Sequence, residues 1–238
     1  MKPNDPEAST LGDDATRLVD APSSLAPGPS PLASSPSPLK FEHALSPEDR
    51  ARCDFYALLA RLYADGPDRP LLEAIAGAEA IEGDTPFAIA WRRLIAASGA
   101  MDPDAAAQEY TDLFVGVGKS EVNLHASHWL SGFMMERPLA NLRGELASLG
   151  LARRDDVVML EDHLSALCET MRLLVGGQDE RKPAPLATQR AFFDRYLASW
   201  VFPCCAAIRE SAIANYYARV AEFTEQYMAL DRDALAMD

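Results

Sequence analysis

The sequence predicts an all-α protein: a single helical-bundle-like domain of about eight or nine helices, preceded by a segment that cannot build a core. Three observations predict it. From residue 46 onward, apolar residues recur every three to four positions in segment after segment. Capping residues and helix-stopping glycines bracket several of those segments. No stretch of useful length alternates apolar and polar residues with β-branched side chains, as a half-buried strand would, and no fixed-period repeat is visible.

Residues 1–45 differ in composition from the rest. They hold eight prolines and seven serines but one aromatic, Phe41. Such a segment buries too little apolar area to offset its ordering entropy, so it reads as a disordered Pro/Ser-rich tail. The alternative is a docking arm of polyproline character. The folded domain, 46–238, opens on Ser46-Pro47-Glu48-Asp49. That run has a capping Ser, a Pro at the first helical position and acids in the first turn. Phe55, Leu58, Leu59 and Leu62 follow at helical spacing. A short helix over Pro70–Ala76 ends at Gly77. Phe87, Ala90, Trp91, Leu94 and Ile95 mark the next, and Ala106, Tyr110, Leu113 and Phe114 another, stopping near Gly116. Residues 116–126 read as a loop, with Gly116-Val117-Gly118 as a tight turn. A helix from Pro138 ends with Gly150 in the C-cap place.

The clearest periodicity runs from Leu160 to Val175. Leu160, Leu164, Leu167, Cys168, Met171, Leu174 and Val175 share one stripe, and Gly176-Gly177 ends it. At about 100° per residue, Asp162 falls opposite that stripe, with Ser165, Glu169 and Arg172. Pattern alone makes this a solvated face with His163 at its edge. Residues 178–185 read as a polar loop. Phe192, Phe193, Tyr196, Leu197 and Trp200 form the next apolar face, and Ile208, Ala212, Tyr216, Val220, Phe223 and Tyr227 the last.

Composition excludes several classes. The net charge of −14 and pI near 4.7 argue against nucleic-acid binding, which needs clustered Lys and Arg, and favour a basic partner. No stretch is long and apolar enough to insert in a membrane, and no basic region precedes an apolar run at the N-terminus, so the expected location is the cytoplasm. The cysteines, Cys53, Cys168, Cys204 and Cys205, form no CxxC pair and read as reduced, mostly buried thiols.

Catalytic signatures are missing: no phosphate-binding loop, no GxGxxG, no GxSxG. His125 and His128 stand three apart without a second ligand pair, so no metal site or cofactor is expected. Glu-x-x-His pairs, which a di-iron bundle needs, do not occur. Two alternatives to a non-enzymatic binding protein stay open. One is a helical hydrolase whose metal sits on His125, His128 and a distant carboxylate; the other is a helical adaptor with an unrelated partner.

Three motifs carry a resemblance. The run Glu109-Tyr110-x-x-Leu113-Phe114-x-Gly116-x-Gly118 resembles the E-Y-x-x-L-F-x-G-P-G segment of the TorD/DmsD-like redox-enzyme maturation chaperones. Asp162-His163 with Leu164, Glu169 and Met171 resembles their E-P-x-D-H signature and the helix after it. Phe192-Phe193, Leu197 and Trp200 resemble their F-x-x-x-H-L-x-x-W stretch. Met159 and Leu160 replace the signature's Glu and Pro, Val117 its middle Pro, and Tyr196 the usual His. Ser127 keeps its place, and Trp129 stands where a Tyr is usual.

The resemblance implies an all-helical chaperone that binds the twin-arginine signal peptide, the apo-form, or both, of a molybdenum-containing oxidoreductase's catalytic subunit during cofactor insertion. It implies a monomer or a domain-swapped dimer. It nominates Asp162, Glu161 and His163 as rim residues for the client, with Glu109 and Asp112 second candidates and Ser127 and Trp129 beside them. Leu113, Phe114, Gly116, Gly118 and Trp200 are its structural motif residues. On this reading Asp162→Ala weakens client binding and leaves the melting temperature unchanged.

Overall fold

Serine, aspartate and threonine side chains start the first four helices, each followed at once or one residue later by proline. The computed structural model describes residues 45–154, 156–177 and 182–237. The N-terminal segment read as a disordered tail lies outside the described residues but for Leu45, as do residues 178–181 of the polar loop after Gly177. The described residues hold ten α-helices: α1 (Pro47–Ala64), α2 (Arg69–Ala76), α3 (Pro86–Ala100), α4 (Pro103–Tyr110), α5 (Ala126–Ser131), α6 (Arg137–Ser148), α7 (Leu164–Gly176), α8 (Leu186–Tyr196), α9 (Val201–Glu210) and α10 (Tyr216–Ala236). A π-helical turn, Thr111–Val115, extends α4. There is no named strand among the described residues.

Ten helices exceed the eight or nine expected for two reasons. The apolar face read as one helix over 208–227 is two. Ser211 leaves the helical region and ends α9, and α10 restarts after Asn215. The six-residue α5 is too short to show a period, so the sequence predicts no helix there.

Two pairings organise the core: α1 lies along α7, and α10 packs on α3, α9 and α8. Between them sits an aromatic cluster in which Phe55 meets Phe87, Trp91, Phe223 and Tyr227 at centroid separations of 5.3–5.6 Å. Such pairs contribute about 0.5–1.5 kcal/mol each beyond their area burial. The buried tyrosine hydroxyls among the described residues all find partners. Tyr217 donates to the Leu62 carbonyl (2.8 Å) and Tyr110 to those of Tyr63 and Ala64, satisfying orphan acceptors at the end of α1. At the other end, Asp231 is buried and accepts from Tyr56 and from Arg52 Nε, both at 2.6 Å. Burial of a carboxylate is tolerated there because the charge is paired and hydrogen-bonded.

The Asp-His helix starts later than its stripe suggests. Leu160 packs against the core, but α7 begins at Leu164 with His163 as its N-cap. The four residues before it are turn and bridge.

Candidate functional site

Where α7 begins, two loops are laced together. The Ala126 N–H donates to the Asp162 carbonyl (2.9 Å) and the Leu164 N–H to the Leu124 carbonyl (2.8 Å), an isolated antiparallel bridge pairing His125 with His163. The Asp162 carboxylate accepts from the Ser127 N–H at 3.0 Å and so caps α5. Asp162 is only 1% exposed, and Ser165 is buried with its hydroxyl donating to the Ala60 carbonyl (2.6 Å). The expected solvated face is therefore half wrong. Glu169 and Arg172 do pair at its open end (2.6 Å), but Asp162 points inward because the helical register does not yet apply at 162, and Ser165 because the first turn of α7 packs on α1.

His163 is buried, and its Nδ1 accepts the Ser165 N–H at 3.2 Å. Its ring lies edge to face on that of His125, with centroids 4.9 Å apart. Burial, then the neighbouring His125, push the His163 imidazole down to about 3. Burial also lowers His125, against the pull of Asp162. Two neutral imidazoles thus sit beside a buried carboxylate. Asp162 Oδ1 and Ser127 Oγ are buried without a hydrogen-bond partner in the protein. Trp129 is half-buried, fixed by its indole N–H donating to the Asn123 carbonyl (2.8 Å). Asn123 also accepts the His125 N–H through Oδ1 (2.9 Å), an Asx turn. The sequence reading overlooked Asn123, although an Asn two residues before a bridging position is that turn's usual signal.

Beside this corner runs a groove of about 660 Å³ between the end of α6, the segment after it, and α7. Leu146, Leu151, Met159, Ala166 and Leu173 give it an apolar lining, and Arg153, Arg154, Arg172, Glu161 and Glu169 its charges. A smaller hollow of about 260 Å³ adjoins it; Glu161, Arg153, Leu146, Leu151 and Ala152 line both. Glu161 accepts two hydrogen bonds from Arg143 (Nε 3.1 Å, Nη2 2.9 Å), and Arg153 approaches it at 3.6 Å. Burial pushes its carboxyl up, but the Arg143 hydrogen bonds and the two positive charges outweigh that and hold it below the usual range. Neither arginine was singled out from sequence, since nothing local marks a contact 18 residues away.

The remaining candidates separate. Glu109 is buried, and its carboxylate accepts the backbone N–H groups of Asn215 (2.8 Å), Tyr216 (3.0 Å) and Tyr217 (2.7 Å). It caps α10 from across the fold, where the resemblance nominated it as a second candidate for the client. Asp112 is exposed and accepts from Gln108 (2.8 Å). Leu113 is fully buried, Phe114 packs edge-on against Tyr217, and Trp200 is buried with its indole N–H on the Tyr196 carbonyl (2.6 Å). Gly116 and Gly118 both have positive φ, as a tight turn predicts. A Cβ at Gly116 would collide with the Lys119 carbonyl. His128 stands against Trp129, apart from the His125–His163 pair. Among the described residues no three of His, Cys, Asp or Glu are grouped to hold a metal ion, and no helix is long and apolar enough to cross a membrane.

Comparison with known proteins follows the same segment. A family model described as nitrate reductase delta subunit matches residues 82–206, from the approach to α3 into α9. The match takes in the Glu109 run, the bridge, the groove and Trp200. A solved structure from Archaeoglobus fulgidus, described as a candidate redox enzyme maturation protein, aligns with a TM-score of 0.53 and 16% identity. It covers 80% of this chain and 99% of that one, a likeness of fold. No curated protein matches the chain.

Proposed function

The chain belongs to the nitrate reductase delta subunit family, a TorD-like family, and from that premise we propose that it is a maturation chaperone for a molybdenum-containing oxidoreductase. On this reading it binds the twin-arginine signal peptide of the client's catalytic subunit, or the apo-enzyme body, in the cytoplasm. It holds that client until the molybdenum cofactor is inserted. It acts by binding and catalyses no reaction.

The observation that carries the reading is the groove between α6 and α7, inside the matched segment and beside the Asp162-His163 corner. A twin-arginine signal has two adjacent arginines followed by an apolar stretch. An apolar groove of this size takes the apolar side chains of a peptide helix or extended segment. The acidic surface, −14 over the chain, speeds capture of a basic peptide. Exposed ion pairs contribute at most about 1 kcal/mol each, so apolar burial in the groove supplies most of the affinity. Glu161 stands at the groove and contacts the peptide directly. Asp162, His163 and Ser127 act from beneath by fixing how the chain enters α7, and Trp129 flanks them. Asp112, exposed on the π-helical turn, is a further acidic contact for the client body.

The test is binding of the full chain to a twin-arginine signal peptide of a molybdenum-containing oxidoreductase, alongside the same peptide with both arginines changed to alanine. The expected result is tighter binding of the arginine form. Equal binding of the two would remove signal recognition, and failure to capture either the peptide or the apo-enzyme would remove the chaperone reading.

A further inference from the structure

Glu161 and its two arginines have an asymmetry that bears on how a client enters. The Glu161 side chain is 12% exposed, while those of Arg143 and Arg153 are 50% and 35% exposed. The acceptor is therefore held by the protein, and the donors are long side chains reaching in from solvent. Arg143 takes both carboxylate oxygens, and Arg153 adds a second guanidinium at 3.6 Å from Oε1. Arg143 makes the two hydrogen bonds and Arg153 only an ion pair, so the carboxylate keeps acceptor capacity, while holding two arginine side chains in place costs rotamer entropy.

Position adds to the argument. Glu161 lies on the boundary shared by the larger groove and the smaller hollow, with Leu146 and Leu151 beside it. Whatever guanidinium occupies Glu161 lies next to apolar surface that the chain's own arginines leave uncovered.

We propose that Glu161 is a guanidinium seat filled in the free protein by Arg143 and Arg153, so that an arginine-bearing peptide binds by displacing them. The seat is thereby self-occupied, and the resident arginines act as internal competitors. Exchange is nearly neutral in charge pairing, because one guanidinium replaces another on the same carboxylate. The net gain comes from the apolar residues that the incoming arginine carries and the resident ones lack. A basic peptide without an apolar neighbour would not win the exchange, and an apolar peptide without arginine would leave the seat as it is. The residents thus sharpen selectivity for peptides that have both. This inference rests on the peptide-binding reading above and adds to it a mechanism of competition.

The experiment measures affinity of the full chain for a synthetic peptide with two adjacent arginines ahead of an apolar stretch, and for its double-alanine form. The variants are R153Q, the double variant R143Q/R153Q, and R61Q. Arg61 pairs with Asp68 and lines neither the groove nor the hollow, so R61Q makes the same charge change as R153Q without vacating the seat. Removing a resident is expected to tighten binding of the arginine peptide by about fivefold, and R143Q/R153Q by more, with R61Q near wild type and the alanine peptide unmoved. Adding Glu161→Gln to the double variant should abolish the gain. Unchanged or weaker binding in R153Q and the double variant overturns the proposal while wild-type recognition of the arginine peptide leaves the chaperone reading standing. An equal gain in R61Q also overturns it, since net charge then explains the effect. If no form binds either peptide, both readings fall. Should the double variant not fold, the exposed R153Q alone decides.

Discussion

The N-cap of α7 makes acid stability depend on one imidazole. His163 is neutral in the folded protein, pushed down to about 3 by burial and by His125. In the unfolded chain it titrates near its ordinary value of about 6.5. The folded pKa lies below the unfolded one, so the unfolded state takes up the proton first as pH falls. Above about pH 6.5 both states are neutral and the group has no effect; between 6.5 and 3 stability is lost progressively. At pH 5 the interval crossed is about 1.5 units, and at about 1.36 kcal/mol per unit the cost is about 2 kcal/mol. Because pH 5 lies well above 3, the unfolded value alone sets that figure. The structural cause is visible: protonated Nδ1 could no longer accept the Ser165 N–H. The perturbation that isolates it is His163→Asn. Its side-chain oxygen replaces Nδ1 as the cap and does not titrate. Urea unfolding at pH 7.5 and pH 5 measures both proteins. The wild type should lose about 2 kcal/mol more than the variant between the two pH values, whatever offset the smaller side chain causes at both. An identical pH dependence in H163N would refute the reasoning.

Other perturbations follow from the same contacts. Glu109→Ala removes three backbone hydrogen bonds at the start of α10 and should cost about 3 kcal/mol in denaturant unfolding, with little change in peptide affinity for the folded fraction. Asp162→Ala should lower the melting temperature, at a cost of about 1–3 kcal/mol, because it strands the buried Ser127 N–H; Asp162→Asn, keeping an acceptor, should recover most of it. That reverses the expectation from pattern and resemblance, in which Asp162 was a surface contact. Gly116→Ala meets both a positive φ and the Lys119 carbonyl and should destabilise by about 1–3 kcal/mol, read by thermal unfolding.

Much of the fold was legible in the chain because its signals are local. Ser46, Asp68, Thr85 and Asp102 accept backbone N–H groups within the next three residues, and Gly77 and Gly177 close helices directly beside them. The stripe from Leu164 to Val175 is buried as its period requires. What misled the reading was extrapolating that period back to Leu160. The entry to α7 is held at Asp162 and Leu164 by bonds to Leu124, Ala126 and Ser127, and those partners lie more than 30 residues away in sequence.

By itself the sequence determined that the chain from residue 46 is helical, where most helices start and stop, and which faces turn inward. Periodicity and capping act over one to four residues, so they are written in the order of residues. Tertiary structure decided which acids are free to meet a partner. Glu109, Asp162 and Glu161 are all acidic residues inside the recognised motifs or adjoining them. One caps a helix more than 100 residues on, one is buried under a loop bridge, and one stands at a groove held by two arginines. A carboxylate's role depends on which donors surround it in space, and those donors come from other helices.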